Sequence, residues 1–412
     1  MSSSFESADE ARQRVEKNVL DVYQKVNPSI RFLDRSRADF ELEGDKRRRL
    51  FRDYLKFPLK MFQGARMLDF GSGTGERSIF YNQWGARLTM VEMNPLAVER
   101  AGKIFAQYAV PGSEYQFIES SLFDVQLQGM FDIVASDGVL HHTGAKKEGF
   151  DKLVSYLKPG GFVFLGLGTT GGNVQRNLQR LVLYHFAKNE EEMVALANRL
   201  FSEHLDRAER FGHRSRTAII YDTYINPQID TTTMNDILGW FQERNIQYYS
   251  SWPGILPMQW ADVPAKGDLE GLSMVEGLSA LPELLWMAHK DSDKEQTDDY
   301  VEISQKLQIL QKIAFDPIAS VSPGMPPVDW GVLGDAMTNL TQAMADVDPF
   351  QADRLRIHGV LQEVLGLMIS MQKNDVQEVE RFIKTTRYLF RGAGGVGMNF
   401  IMGYSKDQNC SQ

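Results

Sequence analysis

A single cysteine, Cys410, leaves no partner for an intrachain disulfide and no thiolate set for zinc, and no metal site is expected. No run approaches the roughly 18 consecutive apolar residues of a membrane span. The opening stretch, Met1-Ser2-Ser3-Ser4-Phe5-Glu6, lacks the basic start and apolar core of a secretory leader. These absences predict a reducing, cytoplasmic setting without a membrane partner. Positive charge is also scarce. Forty-five basic against 54 acidic side chains leave a formal charge of -9, which speaks against a nucleic-acid partner. Disorder and collagen-like order are excluded by 43% hydrophobic and 24% charged residues. At 412 residues the chain has room for two to three domains of roughly 150 residues each.

Apolar spacing divides the chain. Over residues 1–62, Val19, Val22, Tyr23 and Val26, then Leu50, Tyr54, Leu55 and Leu59, recur at helical intervals. Between 66 and 168 brief β-rich runs (67–70, 88–92, 115–118, 131–136 and 162–167) alternate with helical stretches, the pattern of a parallel sheet with crossover helices. Met193, Leu196, Leu200, Leu205 and Ala208 predict an inserted helix over 190–209, with Gly212 as its stop. A helix over 233–244 and a strand over 246–251 resume the alternation, which Trp252-Pro253-Gly254 closes. The acidic, Pro- and Gly-bearing stretch 263–300 reads as a linker. Ile303, Leu307, Leu310 and Ala314, then Ile357, Val360, Leu361, Val364, Leu365 and Met368, predict a helical unit over 301–412.

The chemistry concentrates where strands end. Asp69 closes the first strand, and Gly71-Ser72-Gly73-Thr74-Gly75 forms the turn after it, where glycine lets the backbone approach a ligand. A dinucleotide fingerprint would need Gly-x-Gly-x-x-Gly, but Glu76 holds the third-glycine position. A pyrophosphate would be repelled by Asp69 and Glu76, whereas a cationic, phosphate-free ligand would not. Glu92 ends the second strand, where a carboxylate can accept from both hydroxyls of a ribose.

With these residues in this order, the chain resembles the class I S-adenosylmethionine (SAM)-dependent methyltransferases. The resemblance is carried by Leu68-Asp69-Phe70-Gly71-Ser72-Gly73-Thr74-Gly75, Val91-Glu92-Met93-Asn94-Pro95, residues 117–124, the run from Phe131-Asp132-Ile133 through Ser136-Asp137-Gly138 to Leu140-His141-His142, and Leu157-Lys158-Pro159-Gly160-Gly161-Phe162. It implies an α/β class, with a Rossmann-like doubly wound, mostly parallel sheet. The catalytic domain would span 63–262 with a helical lid at about 169–232, flanked by the N-terminal helical segment 1–62 and the C-terminal α-helical unit. The implied cofactor is SAM. Asp69, Gly71 and Gly73 would line its methionine part, and Gly75 would open the helix behind. Glu92 would hold the ribose and Met93 would lie against adenine. Ser121 stands where many relatives carry an Asp that reads the adenine amino group, which leaves the backbone at Leu122 as an alternative contact. Asp137 would sit near the methionine amino group. Plainer roles exist for each: tight turns for the glycines, a solvated strand-end carboxylate for Glu92, packing for Met93, and capping of the next helix for Asp137.

On the acceptor side, His141 and His142 follow the fourth strand, where a neutral imidazole can take a proton from a hydroxyl, although histidines recur there in relatives with other acceptors. Arg207, Arg210, His213, Arg214 and Arg216 crowd the end of the inserted helix, ahead of Tyr221-Asp222-Thr223-Tyr224. A helix C-terminus favours cations by its dipole alone. The functional alternative is a pocket in which Arg214 and Arg216 grip an anionic group of the acceptor, while Tyr221, Asp222 and Tyr224 point at the reacting atom. The expected reaction is O-methylation of a small-molecule or saccharide-type acceptor. Ser136-Asp137-Gly138-Val139 is not the Asn/Asp-Pro-Pro-Tyr/Phe of enzymes that methylate exocyclic amino groups of nucleic acids. The rival is a SAM-binding protein without turnover that acts as an assembly or regulatory partner. Gly392-x-Gly394-x-x-Gly397 matches a dinucleotide pattern in form but lacks a following βαβ unit. Lys46-Arg47-Arg48-Arg49 reads as the wet face of a helix.

Overall fold

The computed structural model describes residues 7–26, 36–212, 214–255, 282–284, 286–287, 297–317, 324, 328–345, 351–390, 395 and 397–406. His213, Gly392, Gly394, Cys410 and most of the expected linker lie outside them. Seven strands form one sheet: β1 (Arg66–Phe70), β2 (Arg87–Glu92), β3 (Tyr115–Glu119), β4 (Phe131–Asp137), β5 (Leu157–Gly168), β6 (Ile246–Trp252) and β7 (Met398–Ser405). Their spatial order is β3-β2-β1-β4-β5-β7-β6. The first five are parallel, and β7 runs antiparallel to both β5 and β6.

Both faces of the sheet are covered, so its strands carry continuous apolar runs. Met67, Ile133, Phe164 and Met402 pack to one side with Phe80 of α3 (Ser78–Gln83) and Ile104 and Phe105 of α4 (Pro95–Tyr108). Leu68, Val134, Leu165 and Ile401 pack to the other with Phe150 and Leu153 of α5 (Lys146–Val154) and Phe241 of α10 (Met234–Glu243). Odd and even positions of each strand thus serve opposite cores. Two helices precede the sheet, α1 (Ala8–Lys25) and α2 (Arg37–Arg49), each begun by a capping box, at Ser7 and Ser36.

The stretch between β5 and α10 holds α6 (Val174–Phe186), α7 (Glu190–Leu200), α8 (Ser202–Gly212) and α9 (Arg216–Ile220), and a π-helical turn, Tyr221–Ile225, continues α9. The helix expected over 190–209 is therefore two, broken at Phe201, whose buried ring anchors the break. Between β6 and β7 lie α11 (Thr297–Leu310), α12 (Trp330–Ala345), α13 (Gln351–Gln372) and α14 (Val376–Thr385). Leu178, Leu181, Leu200 and Ile220 of the first insertion share one core with Leu307, Met337, Val364 and Ile383 of the second. Two separate helical units were expected from the sequence; they pack as one body.

The unit expected over 301–412 is corrected at its end. Residues 398–405 are strand and belong to the sheet, seated between β5 and β6. In the sequence Met398-Asn399-Phe400-Ile401-Met402 does not stand out as a strand, because a helical pattern and a glycine-rich stretch precede it. Among the described residues no helix is long and apolar enough to cross a membrane.

Candidate active site

The carboxyl ends of β1, β2 and β4 meet at a cavity of about 290 Å³, lined also by α1, α6 and the turn after α9. Ligands of open α/β sheets bind at this edge. Gly71, Ser72 and Gly73 form its floor. Gly71 has φ +71°, and a Cβ there would stand 2.4 Å from Cγ2 of Val139, so glycine is needed for packing as well as conformation. Gly75 lies behind the wall, where a Cβ would press on Ala101 and Phe105 of α4 at 3.1 Å. Its role is close packing of the helix, and it does not line the cavity.

Glu92 and Met93 line the cavity. One Glu92 oxygen accepts from the Gly73 N–H at 2.8 Å and the other from the Asn94 N–H at 2.9 Å. Burial raises its pKa, against backbone donors at Asn94, Gly73 and Met93. A carboxylate has about four acceptor positions, so three such donors do not exhaust it. Asp69 is buried and accepts from Ser78 Oγ at 2.6 Å, and burial pushes its pKa up to about 6. Leu122 lines the cavity. Ser121 Oγ instead donates to Glu16 of α1, although its neighbour Ser120 is a lining residue. The floor is thus rich in carboxylates (Asp69, Glu76 and Glu92), a donor set that fits a cationic nucleoside and opposes a pyrophosphate.

Asp137 also lines the cavity, but its side chain is held between guanidinium groups, Arg47 Nη1 at 2.7 Å and Arg77 Nη1 at 2.5 Å. Arg47 is 7% exposed and also donates to the Tyr81 hydroxyl. The basic run of α2 is therefore not wholly a wet face; one of its four cations points inward. Nothing in the run itself marks which one, since that depends on where α2 docks.

His141 and His142 both line the cavity. His142 Nδ1 lies 2.7 Å from the Gln228 carbonyl oxygen. Asn226 Nδ2, a donor, lies 3.2 Å from the same nitrogen; the nearer carbonyl only accepts, so it fits the tautomer with hydrogen on Nδ1 and the lone pair on Nε2. Burial lowers the pKa of His142 in spite of the nearby Asp222 carboxylate. His141 is held neutral more strongly, by burial and by its neighbour His142.

Asp222 lines the cavity and is shared: Arg214 Nη1 donates to one oxygen at 2.9 Å, and Tyr23 Oη of α1 to the other at 3.0 Å. Although burial works against it, Arg214 holds the carboxyl well below the usual range. Three expected acceptor residues stand elsewhere. Arg216 pairs with Asp206 and Glu209 of α8, outside the lining. Tyr224 is fully buried and donates to Gln179 Oε1 at 3.2 Å. Tyr221 donates to Glu190 Oε2 at 3.4 Å. The π turn sends Asp222 inward and leaves Tyr221 and Tyr224 on other sides of the helix. Residues that sequence reasoning missed are Glu16, Val19, Leu20 and Tyr23 on α1, Arg47, Arg77, and Arg176 on α6, all in the lining. Val19 and Tyr23 were visible only as an apolar helical stripe.

A family model described as a methyltransferase domain matches residues 42–207. Over 104 residues the chain is 32% identical to the mitochondrial ubiquinone biosynthesis O-methyltransferase of Schizosaccharomyces pombe, covering 25% of this chain and 38% of that protein. It is 33% identical over 104 residues to the ubiquinone biosynthesis O-methyltransferase of Pseudomonas aeruginosa (strain UCBPP-PA14), covering 25% of this chain and 44% of the other. The chain thus spans less than half the length of these curated relatives. PKMT2 from Rickettsia typhi, solved in complex with AdoHcy, is 18% identical with a TM-score of 0.37, covering 50% of this chain and 43% of that one. Residues 42–207 thus match a methyltransferase domain, and the acidic glycine turn lies within that stretch at the carboxyl edge of the sheet.

Proposed function

We propose that this protein methylates a hydroxyl oxygen of a small-molecule or saccharide-type acceptor, with SAM as donor and His142 as the base. The observation that carries this reading is the pairing, in one cavity, of the Gly71–Glu92 cradle with a neutral imidazole whose Nδ1 is already committed to Gln228. When bound, SAM supplies a methyl group activated by its sulfonium. Glu92 would hold the ribose, Met93 would give adenine an apolar wall, and Asp69 and the Gly71–Gly73 backbone would face the methionine end. Methyl transfer disperses charge instead of concentrating it, so alignment and exclusion of water carry the rate. The α1 side chains Val19, Leu20 and Tyr23 exclude water. His142 Nε2 would take the proton of the acceptor hydroxyl, so that its oxygen could displace the sulfur from the methyl carbon, the C–S electron pair leaving with the sulfur. That the curated relatives are named O-methyltransferases supports oxygen as the acceptor atom.

The test is turnover. The purified protein is incubated with SAM and a cell metabolite extract, and products 14 mass units heavier than their precursors are sought by mass spectrometry. The expected result is that SAM and its demethylated product raise the melting temperature and NAD does not. A shift with NAD alone, or SAM binding without any methylated product from a broad extract, rejects the reading.

A further inference from the structure

Arg176, on the first turn of α6, lines the cavity beside the histidines and is partly buried. The other cations of the site are engaged: Arg214 with Asp222, Arg47 and Arg77 with Asp137, and Arg180 with the Asn226 carbonyl at 2.9 Å. Arg176 makes no hydrogen bond or ion pair with any described residue. Among the described residues Asp222, with the Tyr224 hydroxyl, acts on it in favour of its charge, set against the like charges of Arg214 and Arg180, and both oxygens of Asp222 are taken by Arg214 and Tyr23. Burial lowers the pKa of Arg176, and the two neighbouring guanidiniums add to this, yet a guanidinium keeps its proton. Its field reaches His141 and His142, so it stands on the acceptor side of the cavity. An unpaired guanidinium in a confined cavity is costly unless something anionic meets it.

We propose that Arg176 is the seat of an anionic group on the acceptor, a carboxylate or phosphate bound in bidentate fashion while His142 faces the hydroxyl to be methylated. The inference rests on the methyl-transfer reading of the cavity and narrows the acceptor to hydroxyl compounds that also carry an acid group. It shifts the anion contact from Arg214, which Asp222 occupies, and from Arg216, which points away, to a residue the basic cluster does not contain. A planar five-donor fork favours an oxyanion over a neutral group by charge-assisted hydrogen bonds.

Three probes of one ring size separate the possibilities: phenol, 4-hydroxybenzoate and 4-hydroxyphenyl phosphate, each titrated calorimetrically into protein saturated with S-adenosylhomocysteine. The expected result is that one anionic probe binds at least about tenfold tighter than phenol, and which one identifies carboxylate or phosphate. In Arg176→Met that preference falls to within about twofold, while phenol and S-adenosylhomocysteine bind as before; Arg176→Lys, which keeps the charge and loses the fork, retains part of it. Melting curves with and without S-adenosylhomocysteine establish that the variants are folded. Wild-type protein without anion preference, or a preference unchanged in Arg176→Met, overturns the proposal. Wild-type protein that does not bind S-adenosylhomocysteine instead overturns the reading of the cavity.

Discussion

Glu92 and His142 each have one side committed to the protein and one side open to the cavity. Glu92 fixes the Gly73 and Asn94 amides, so Glu92→Ala is expected to lower SAM affinity ten- to a hundredfold, roughly 1.5–3 kcal/mol, and to depress the melting temperature as two amides lose their acceptor. Calorimetry on the folded variant checks this, and unchanged affinity would remove Glu92 from the site. For His142 the expected signature is kinetic: His142→Ala lowers kcat and leaves SAM affinity intact. Because burial holds the imidazole below the ordinary value of 6.5, it stays a free base at neutral pH. The acidic limb of the kcat profile then falls below that value and disappears in the Ala variant. Residues of this kind were legible because they sit at strand ends, where a short motif fixes both identity and position. Arg47, Arg176 and Tyr23 were not, since their inward turn is decided by where α1, α2 and α6 dock against the sheet. Arg216 misled for the same reason: a cluster of basic residues says nothing of which one faces α8.

Among the elements, α1 is tied to both sides of the cavity it covers. Arg12 reaches Glu148 of α5, Glu16 meets Ser121 after β3, and Tyr23 and Lys25 meet Asp222 and Glu190 of the helical insertion. The ion pairs among them are partly exposed and each is worth little alone, whereas Val19 and Val22 of the same helix are buried. A deeper tie joins the two insertions to the sheet. Glu283 is 2% exposed and accepts from the Gly171 N–H at 2.7 Å and from the Met234 N–H at 3.0 Å, linking the chain after β6 to the starts of the α6 and α10 segments. Burial raises its pKa to about 7, against those two donors. The folded state therefore holds this proton more tightly than the unfolded chain does. Its contribution to stability is full below the unfolded value of 4.5 and is lost as pH rises through 7. Glu283→Gln should cancel that slope, so that the variant gains stability relative to the wild type by on the order of 2–3 kcal/mol between pH 4.5 and 8. Denaturant titrations at the two pH values measure it, and parallel behaviour of the two proteins would refute the assignment.

Across the whole molecule, the first six strands were legible as segments because each is a short run between helical stretches. β7 was not, because a strand's place in a sheet is a tertiary fact and residues 398–405 lie beyond the second helical insertion. Their position ties the chain that follows the second helical insertion back into the sheet. A protein truncated at residue 397 loses the partner of both β5 and β6, and is expected to show no single cooperative melting transition and to bind S-adenosylhomocysteine at least tenfold more weakly, measured by calorimetry. A truncated chain that melts in one step and binds normally would show that β7 is dispensable.

The position of β7 also sets a clock. On the ribosome β5 and β6 are made first, and the strand that separates them follows only after residues 253–397. At about 5–20 residues per second that interval is on the order of ten seconds, during which the apolar edge Phe162, Phe164 and Leu165 has no neighbour. Either the nascent sheet waits with that edge open to other chains, or β6 pairs there first and must be displaced. The yield of folded protein in the cell should then depend on how quickly the helical insertion is translated and on what shields β5 in the meantime.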